Sequence, residues 1–224
     1  MSLKKIYNID AITHNEQNKS NIYHEVGIDE AGRGPLLGRV YTAAVILPYD
    51  DDSIDFSSIK DSKKFTSEKK IQSVFEFIKN IAIDYSISYK DESDIDKYNI
   101  LQATVQSMHD CIQKLNIIPD HIIVDGNYFK PYSYYDHDKE QLNTISHTCI
   151  KKGDASYYSI AGASILAKVS RDNYIKDLCS QEPELNEYYH LLSNKGYGTK
   201  QHIQGIKEHG YSKYHRKSFH LRHL

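Results

Sequence analysis

The chain has no tryptophan, five prolines, two methionines and three cysteines in 224 residues. Cys111, Cys149 and Cys179 are scattered and form no CxxC pair, so neither a zinc site nor a disulfide framework is indicated. Buried free thiols in a reducing compartment fit this usage better. No apolar run approaches the roughly 20 residues needed to cross a bilayer. Met1 to Asn21 is polar and lacks a signal-peptide core. The twelve histidines make no HxxxH or HExxH pattern, and neither a GxSxG elbow nor a P-loop is present. The expectation is a soluble, cytoplasmic protein with no membrane contact.

Charge of one sign is also missing. Lys and Arg number 28 against 30 Asp and Glu, a net charge of −2, so the bulk charge does not announce a polyanion binder. The distribution says more. Lys195 to Leu224 carries seven Lys or Arg and one acid, Glu208, which is compatible with a local polyanion-binding face. With 39% hydrophobic and 26% charged residues, one domain with a real core is affordable.

The patterning alternates strand and helix. Glu25–Asp29 and Val40–Leu47 read as strands, and Ile83, Tyr85, Ile87 and Tyr89 alternate with polar residues as a third strand does. Thr66 or Ser67 can cap a helix running through Ile78. Leu101, Val105, Met108, Ile112 and Leu115 recur at helical spacing, with Pro119 as a stop. Ile122-Ile123-Val124 reads as a short buried strand. Tyr158–Leu178 is a strong helix, and Thr199 caps a last one that Gly210 can close. Residues 128–143, rich in tyrosine, read as a surface loop. This order argues for an α/β domain with a mixed sheet.

Chemistry enters at Val26-Gly27-Ile28-Asp29-Glu30-Ala31-Gly32-Arg33-Gly34-Pro35. An apolar strand ends in two adjacent carboxylates, and an ionised carboxylate is costly to bury unless it is paired or bound to metal. The following glycines let backbone N–H groups approach an anion, with Arg33 beside them. Val124-Asp125-Gly126-Asn127 repeats the logic of strand, acid and sharp turn. A lone Asp-Gly is usually only a turn; beside Asp29 and Glu30 it supplies the oxygen-rich setting that Mg²⁺ or Mn²⁺ prefers. Asp154, before the small-residue helix Ala161-Gly162-Ala163-Ser164, can add a fourth carboxylate or be a plain helix-start acid. Lys168 and Asp172 read as a solvated ion pair. Lys63 and Lys64 form a short basic loop. Tyr197 lies between two glycines, where a ring is more often stacked or exposed than core, although taken alone the segment reads as a simple loop. The segment Ser212 to Phe219 is basic with interleaved aromatics, as backbone-binding surfaces often are, and reads equally well as a solvated charged tail.

In this order, GIDEAGRGP (27–35), DSKKFT (61–66), VDGN (124–127), KGDASYYSIAGASILAKVSRD (152–172), KGYGT (195–199) and HRKSF (215–219) closely resemble ribonuclease HII. The DEAGRG loop separates the chain from ribonuclease HIII. The resemblance implies an RNase H-like fold with a mixed five-stranded sheet flanked by helices and a helical C-terminal extension. The expected division is a loose leader over 1–20, a catalytic domain over 21–190 and a substrate-binding extension over 191–224. It also implies metal-dependent endonucleolytic cleavage of the RNA strand of RNA–DNA hybrids. A further implied activity is nicking 5′ of single ribonucleotides embedded in duplex DNA, leaving 5′-phosphate and 3′-hydroxyl ends. By the resemblance, Asp29, Glu30, Asp125 and Asp154 hold two Mg²⁺ or Mn²⁺ ions, Gly32, Arg33 and Gly34 sense the ribose 2′-OH, and Tyr197 senses the junction. Lys63 and Lys64 are expected to hold phosphate.

Two departures bear on local packing: Leu36-Leu37-Gly38-Arg39-Val40 where the family often reads LAGPV, and Gly162 where alanine is common. The expected state is a monomer acting on hybrid and ribonucleotide-containing duplexes. A sliding-clamp contact through His220 to Leu224 is conceivable but unsupported. The rivals are a non-catalytic hybrid-binding protein, which would not need four acids, and a nuclease of DNA junctions, against which the Gly-Arg-Gly and Gly-Tyr-Gly segments argue.

Overall fold

A computed structural model describes residues 3–7 and 23–219. The expected leader therefore lies largely outside the described residues, and His220 to Leu224 lies wholly outside them. The centre is a six-stranded mixed sheet built from β1 (Glu25–Ala31), β2 (Val40–Ile46), β3 (Asp84–Lys90), β4 (His121–Asp125), β5 (Tyr132–Asp136) and β6 (Gln141–Ile150). Its spatial order is β3-β2-β1-β4-β6-β5. The β1–β2, β2–β3 and β5–β6 pairs are antiparallel, whereas β1–β4 and β4–β6 are parallel.

The sixth strand corrects the expected count of five. The tyrosine-rich stretch is not a simple loop, because Tyr132 and Tyr134 turn half-buried while Ser133 and Tyr135 face water. That period of two lets β5 pair with β6 from Tyr132↔Ile145 to Asp136↔Gln141. The signal was present in the alternation but was masked by the density of tyrosine and aspartate.

Helices cover both faces. On one side lie α1 (Glu68–Ile81) and the long α4 (Tyr158–Gln181); α3 (Ile100–Lys114) lies on the other, preceded by the short α2 (Glu92–Tyr98). Ser67 caps α1 by accepting from the Lys70 N–H, as expected from its type. Val26, Ile28, Ala44 and Ile46 pack against Met108, Cys111 and Ile112 of α3. Ala43, Val45 and Tyr41 pack against Ala161, Ile165 and Val169 of α4 and Ile71, Val74 and Ile78 of α1. Cys111 and Cys179 are buried free thiols and Cys149 is half-buried.

Helix α4 is buried on several faces, so its small residues have a geometric reason. A Cβ on Gly27 would stand 2.4 Å from the Ser159 carbonyl carbon, so β1 backbone touches α4 backbone directly. Two residues further along β1, Asp29 reaches Ser164. Five helical residues advance about 7.5 Å and two strand residues about 6.6 Å, so α4 runs alongside β1 nearly in step.

Beyond α4 come α5 (Glu184–Tyr189), α6 (Leu191–Asn194) and α7 (Lys200–His209). Thr199 caps α7, and Gly210 ends it with φ of 76°. Leu185, Tyr189, Leu191 and Ile206 form one core with Leu36, Leu37, Ile175 and Leu178. The C-terminal helices are thus packed onto the loop that follows β1. No helix among the described residues is long and apolar enough to cross a membrane.

Candidate active site

Parallel pairing puts Ile28 beside Val124, so the next residues, Asp29 and Asp125, leave adjacent strands at the same sheet edge. Asp29, Glu30 and Asp125 line one open cavity of about 340 Å³ together with Gly32, Arg33, Gly34, Lys63 and Tyr197. Asp154 sits behind them in a short turn over Gly153–Ala155 and is buried. Asp125 Oδ1 accepts from the Gly153 N–H at 2.7 Å, which ties the fourth acid to the third. Lys64 is exposed and does not line the cavity.

The acids are held by few counter-charges. Arg33 Nη1 lies 3.3 Å from Glu30 Oε1, and Lys63 Nζ lies 3.4 Å from Asp154 Oδ2. No salt bridge among the described residues reaches Asp29 or Asp125. Asp29 accepts instead from the Glu30 N–H at 2.7 Å and from Ser164. The Ser164 hydroxyl is itself within 3.0 Å of the Ser62 hydroxyl. Burial, then repulsion from Glu30 and Asp125, pushes the Asp29 carboxyl well above the usual range. Burial also raises Glu30 against the opposing pull of Arg33, and raises Asp125 despite its backbone hydrogen bond from Gly153.

Lys168, Arg171 and Lys195 also line the cavity, yet none of them pairs with Asp29, Glu30 or Asp125, so the carboxylate cluster itself is short of close positive charge. All of its donors are hard oxygens, the set that suits Mg²⁺ or Mn²⁺. Among the described residues no three His, Cys, Asp or Glu side chains are drawn into a closed ligating set. The spread is what like charges adopt when two of them lean on Arg33 and Lys63. The donor chemistry and the uncompensated burial fit a divalent cation.

The loop from Gly32 to Arg39 is shaped from behind by two buried guanidinium groups. Arg216, 1% exposed, donates to the carbonyls of Gly32 (2.7 Å), Arg33 (3.1 Å), Pro35 (2.7 Å) and Gly38 (2.7 Å). Arg171 donates to the carbonyls of Leu37 (3.2 Å), Arg39 (3.1 Å) and Lys195 (2.9 Å). Gly32 has φ of 94°, and a Cβ there would stand 2.1 Å from Arg171 Nε, so both backbone freedom and close approach require glycine. Tyr197 is half exposed, and its ring edge would come within 3.2 Å of a Cβ on Gly34. Ring and Gly-Arg-Gly loop therefore form one wall of the cavity.

The reading of 212–219 as a polyanion-facing surface is corrected in part. Arg216 and His215 are buried and face inward, and Ser218 donates from its N–H to Asp96. Sequence reasoning missed Ser62, Ser164, Arg171 and Arg216 as site-shaping residues, although all lie inside the motifs quoted above. The Lys168–Asp172 pair is present, at 2.8 Å, with both residues bordering the cavity.

Known proteins resemble this chain in sequence and in fold. The family model "Ribonuclease HII" matches residues 26–222. A ribonuclease HII of Parabacteroides distasonis is 45% identical over 197 residues, covering 88% of this chain and 90% of that protein. Among solved structures, the ribonuclease H2 of Pyrococcus horikoshii superposes with a TM-score of 0.70 at 23% identity, covering 88% of this chain and 93% of that one. The Bst ribonuclease HIII in complex with Mn²⁺ superposes with a TM-score of 0.60 at 16% identity, covering 88% and 67%. These two structures speak for the fold.

Proposed function

The chain belongs to the ribonuclease HII family, hydrolytic endonucleases of RNA–DNA hybrids, and from that premise we propose that it also nicks duplex DNA on the 5′ side of a single embedded ribonucleotide. The observation that carries this reading is the shared cavity. The buried Asp29, the half-buried Glu30 and Asp125, a Gly-Arg-Gly loop and an exposed tyrosine line the same 340 Å³.

Asp29, Glu30, Asp125 and Asp154 would hold divalent metal, Mg²⁺ or Mn²⁺. When bound, such ions lower the pKa of an attacking water and stabilise charge on the leaving 3′ oxygen. The chain's own residues bind and orient. Arg33 and Lys63, whose ion pairs with Glu30 and Asp154 are long at 3.3 and 3.4 Å, can turn to phosphate oxygens once metal compensates the acids. Lys64, outside the cavity, would meet a more distant phosphate. Backbone groups of Gly32 to Gly34 would meet the ribose 2′-OH, the one atom that separates RNA from DNA. Tyr197 would stack on the sugar at the junction. Residues 191–219, packed on this loop, would carry the flanking duplex, and a monomer has every group this scheme uses.

The test is a DNA duplex with one ribonucleotide, incubated with Mg²⁺ or Mn²⁺, with Asp125→Asn as control. The expected result is a single nick 5′ of the ribonucleotide that leaves 5′-phosphate and 3′-hydroxyl ends and is lost in the control. Cleavage of long hybrids without that nick would remove the junction reading and leave the nuclease. An Asp125→Asn protein with full activity would refute the metal-holding assignment.

A further inference from the structure

Two histidines that the catalytic scheme does not use are buried side by side behind Tyr197. His202 is fully buried and His215 is 1% exposed. Their Nε2 atoms are 3.0 Å apart. His202 Nδ1 is 3.0 Å from the Tyr197 carbonyl oxygen, and His215 Nδ1 is 2.9 Å from the Ser212 N–H.

The partners fix the protons without any appeal to pH. A carbonyl can only accept, so His202 Nδ1 carries hydrogen. A backbone N–H can only donate, so His215 Nδ1 carries none. With one proton per ring, His215 then bears its hydrogen on Nε2 and His202 has a bare Nε2. The two ends of the chain demand the same central bond, from His215 Nε2–H to His202 Nε2. An added proton costs the chain one of its bonds. A doubly protonated His202 sets N–H against N–H at the centre, and a doubly protonated His215 keeps the central bond but loses the one from the Ser212 N–H, leaving the Ser212 hydroxyl, 2.9 Å from Nδ1, as acceptor. Among the described residues no carboxylate pairs with either ring: Tyr189 packs edge-on at 4.8 Å from His215, Tyr211 lies at 5.2 Å, and the nearest cation in sequence, Arg216, faces the loop carbonyls. Burial accordingly lowers both rings, His215 to about 4.

The pair ends on Tyr197. That carbonyl also accepts from the Thr199 N–H at 2.8 Å, while the Gly196 carbonyl accepts from the Leu36 N–H of the post-β1 loop at 2.8 Å. The Tyr197 backbone is thus held between α7 and the wall of the cavity. We propose that His202 and His215 are positioning residues for Tyr197, a neutral imidazole pair of fixed tautomer that sets the ring against Gly34 and so tunes discrimination between ribose–deoxyribose junctions and long hybrids. The proposal rests on the reading of Tyr197 as the junction-sensing residue.

The experiment compares cleavage of a single-ribonucleotide duplex with cleavage of a long hybrid, both with Mn²⁺, for the unmodified protein, His202→Leu, His202→Asn and Tyr197→Ala. Asparagine keeps a donor for the Tyr197 carbonyl and leucine does not. His202→Leu is expected to lower the junction-to-hybrid ratio of kcat/KM by about five- to tenfold, the worth of one hydrogen bond, and His202→Asn to restore most of it. An unchanged ratio in His202→Leu, with a fall in Tyr197→Ala, overturns the proposal and spares the role of Tyr197. An unchanged ratio in Tyr197→Ala overturns both. The tautomers are read separately, by ¹⁵N imidazole spectra of the unmodified protein between pH 7 and 6, which needs no variant to fold. Protonated Nδ1 on His202 and Nε2 on His215 are expected. A cationic ring, or the opposite tautomer on either, refutes the mechanism.

Discussion

Replacing Arg216 by methionine should unlatch the loop that carries the Gly-Arg-Gly wall. The guanidinium makes hydrogen bonds to four carbonyls, those of Gly32, Arg33, Pro35 and Gly38. Hydrogen bonds to a charged group are worth about 1.5–3 kcal/mol each, so the gross interaction is roughly 6–12 kcal/mol. Desolvating the cation offsets several kcal/mol of that. The same burial pushes the group's pKa down to about 9, low for arginine yet high enough to keep it charged at pH 7. Methionine fills the space but leaves the carbonyls without donors, and water can reach only those near the cavity. The net loss should be about 3–5 kcal/mol, the range for breaking a buried charged network, from a total that is typically about 5–15 kcal/mol. Arg216→Lys keeps the charge but concentrates its donors on one nitrogen, which cannot span carbonyls on both sides of the loop, so about half the loss should remain. Urea unfolding measures the first quantity, with an unchanged slope expected. Cleavage well below the melting temperature should show a raised KM for hybrid substrate in both variants. A methionine variant within about 1 kcal/mol of the parent and with unchanged KM would refute the clamp, since four buried acceptors cannot be orphaned at so small a cost.

Two glycines around α4 should respond in opposite ways. Gly27→Ala places a Cβ 2.4 Å from α4 backbone, which must move, and it should cost about 1–3 kcal/mol by overpacking while displacing Asp29 and cutting cleavage. Gly162→Ala finds its nearest neighbours, Ile78 and Val45, at an ordinary 3.8 Å and should stabilise by up to about 1 kcal/mol with activity retained, both read by thermal melts and hybrid cleavage. Asp29→Asn should raise the melting temperature of metal-free protein while abolishing cleavage. The Asp29 pKa is raised in the fold, so its charge opposes folding; the gain should be full above the folded pKa and vanish below 3.8, where the carboxyl is neutral folded or unfolded. A lower melting temperature at pH 7 would show the carboxylate to be better compensated than its contacts indicate.

What was legible in the sequence, and what was not, divides along one physical line. Asp29, Glu30 and Asp125 were readable because burying a carboxylate at the end of an apolar strand is costly, and a strand carries that cost only for a reason. The exposure of Tyr197 was readable from its flanking glycines, but on those residues alone the segment read as a simple loop, and the ring's proposed role came only with the resemblance. β5 was not, because Tyr132–Asp136 earns its place through pairing with β6 and not through its own composition. The short α5 and α6 were equally silent: their apolar residues become meaningful only against Leu36, Leu37 and Ile175.

Arg216 and the histidine pair make the sharper case. Taken singly, a basic residue with aromatic neighbours near a chain end suggests a surface, and Ser212 to Phe219 suggested one. Yet the Arg216 contacts span up to 184 residues, from Nη2 to the Gly32 carbonyl. A local window cannot distinguish a guanidinium that meets phosphate from one that meets carbonyls, because both jobs need planar donors and positive charge. The two jobs are also linked. Backbone carbonyls of the loop that are captured from behind by Arg216 and Arg171 no longer compete for the loop's own N–H groups. On the proposed reading, recognition by the Gly32–Gly34 backbone would depend on residues that touch no substrate, since the C-terminal segment supplies the Arg216 that holds the loop in shape.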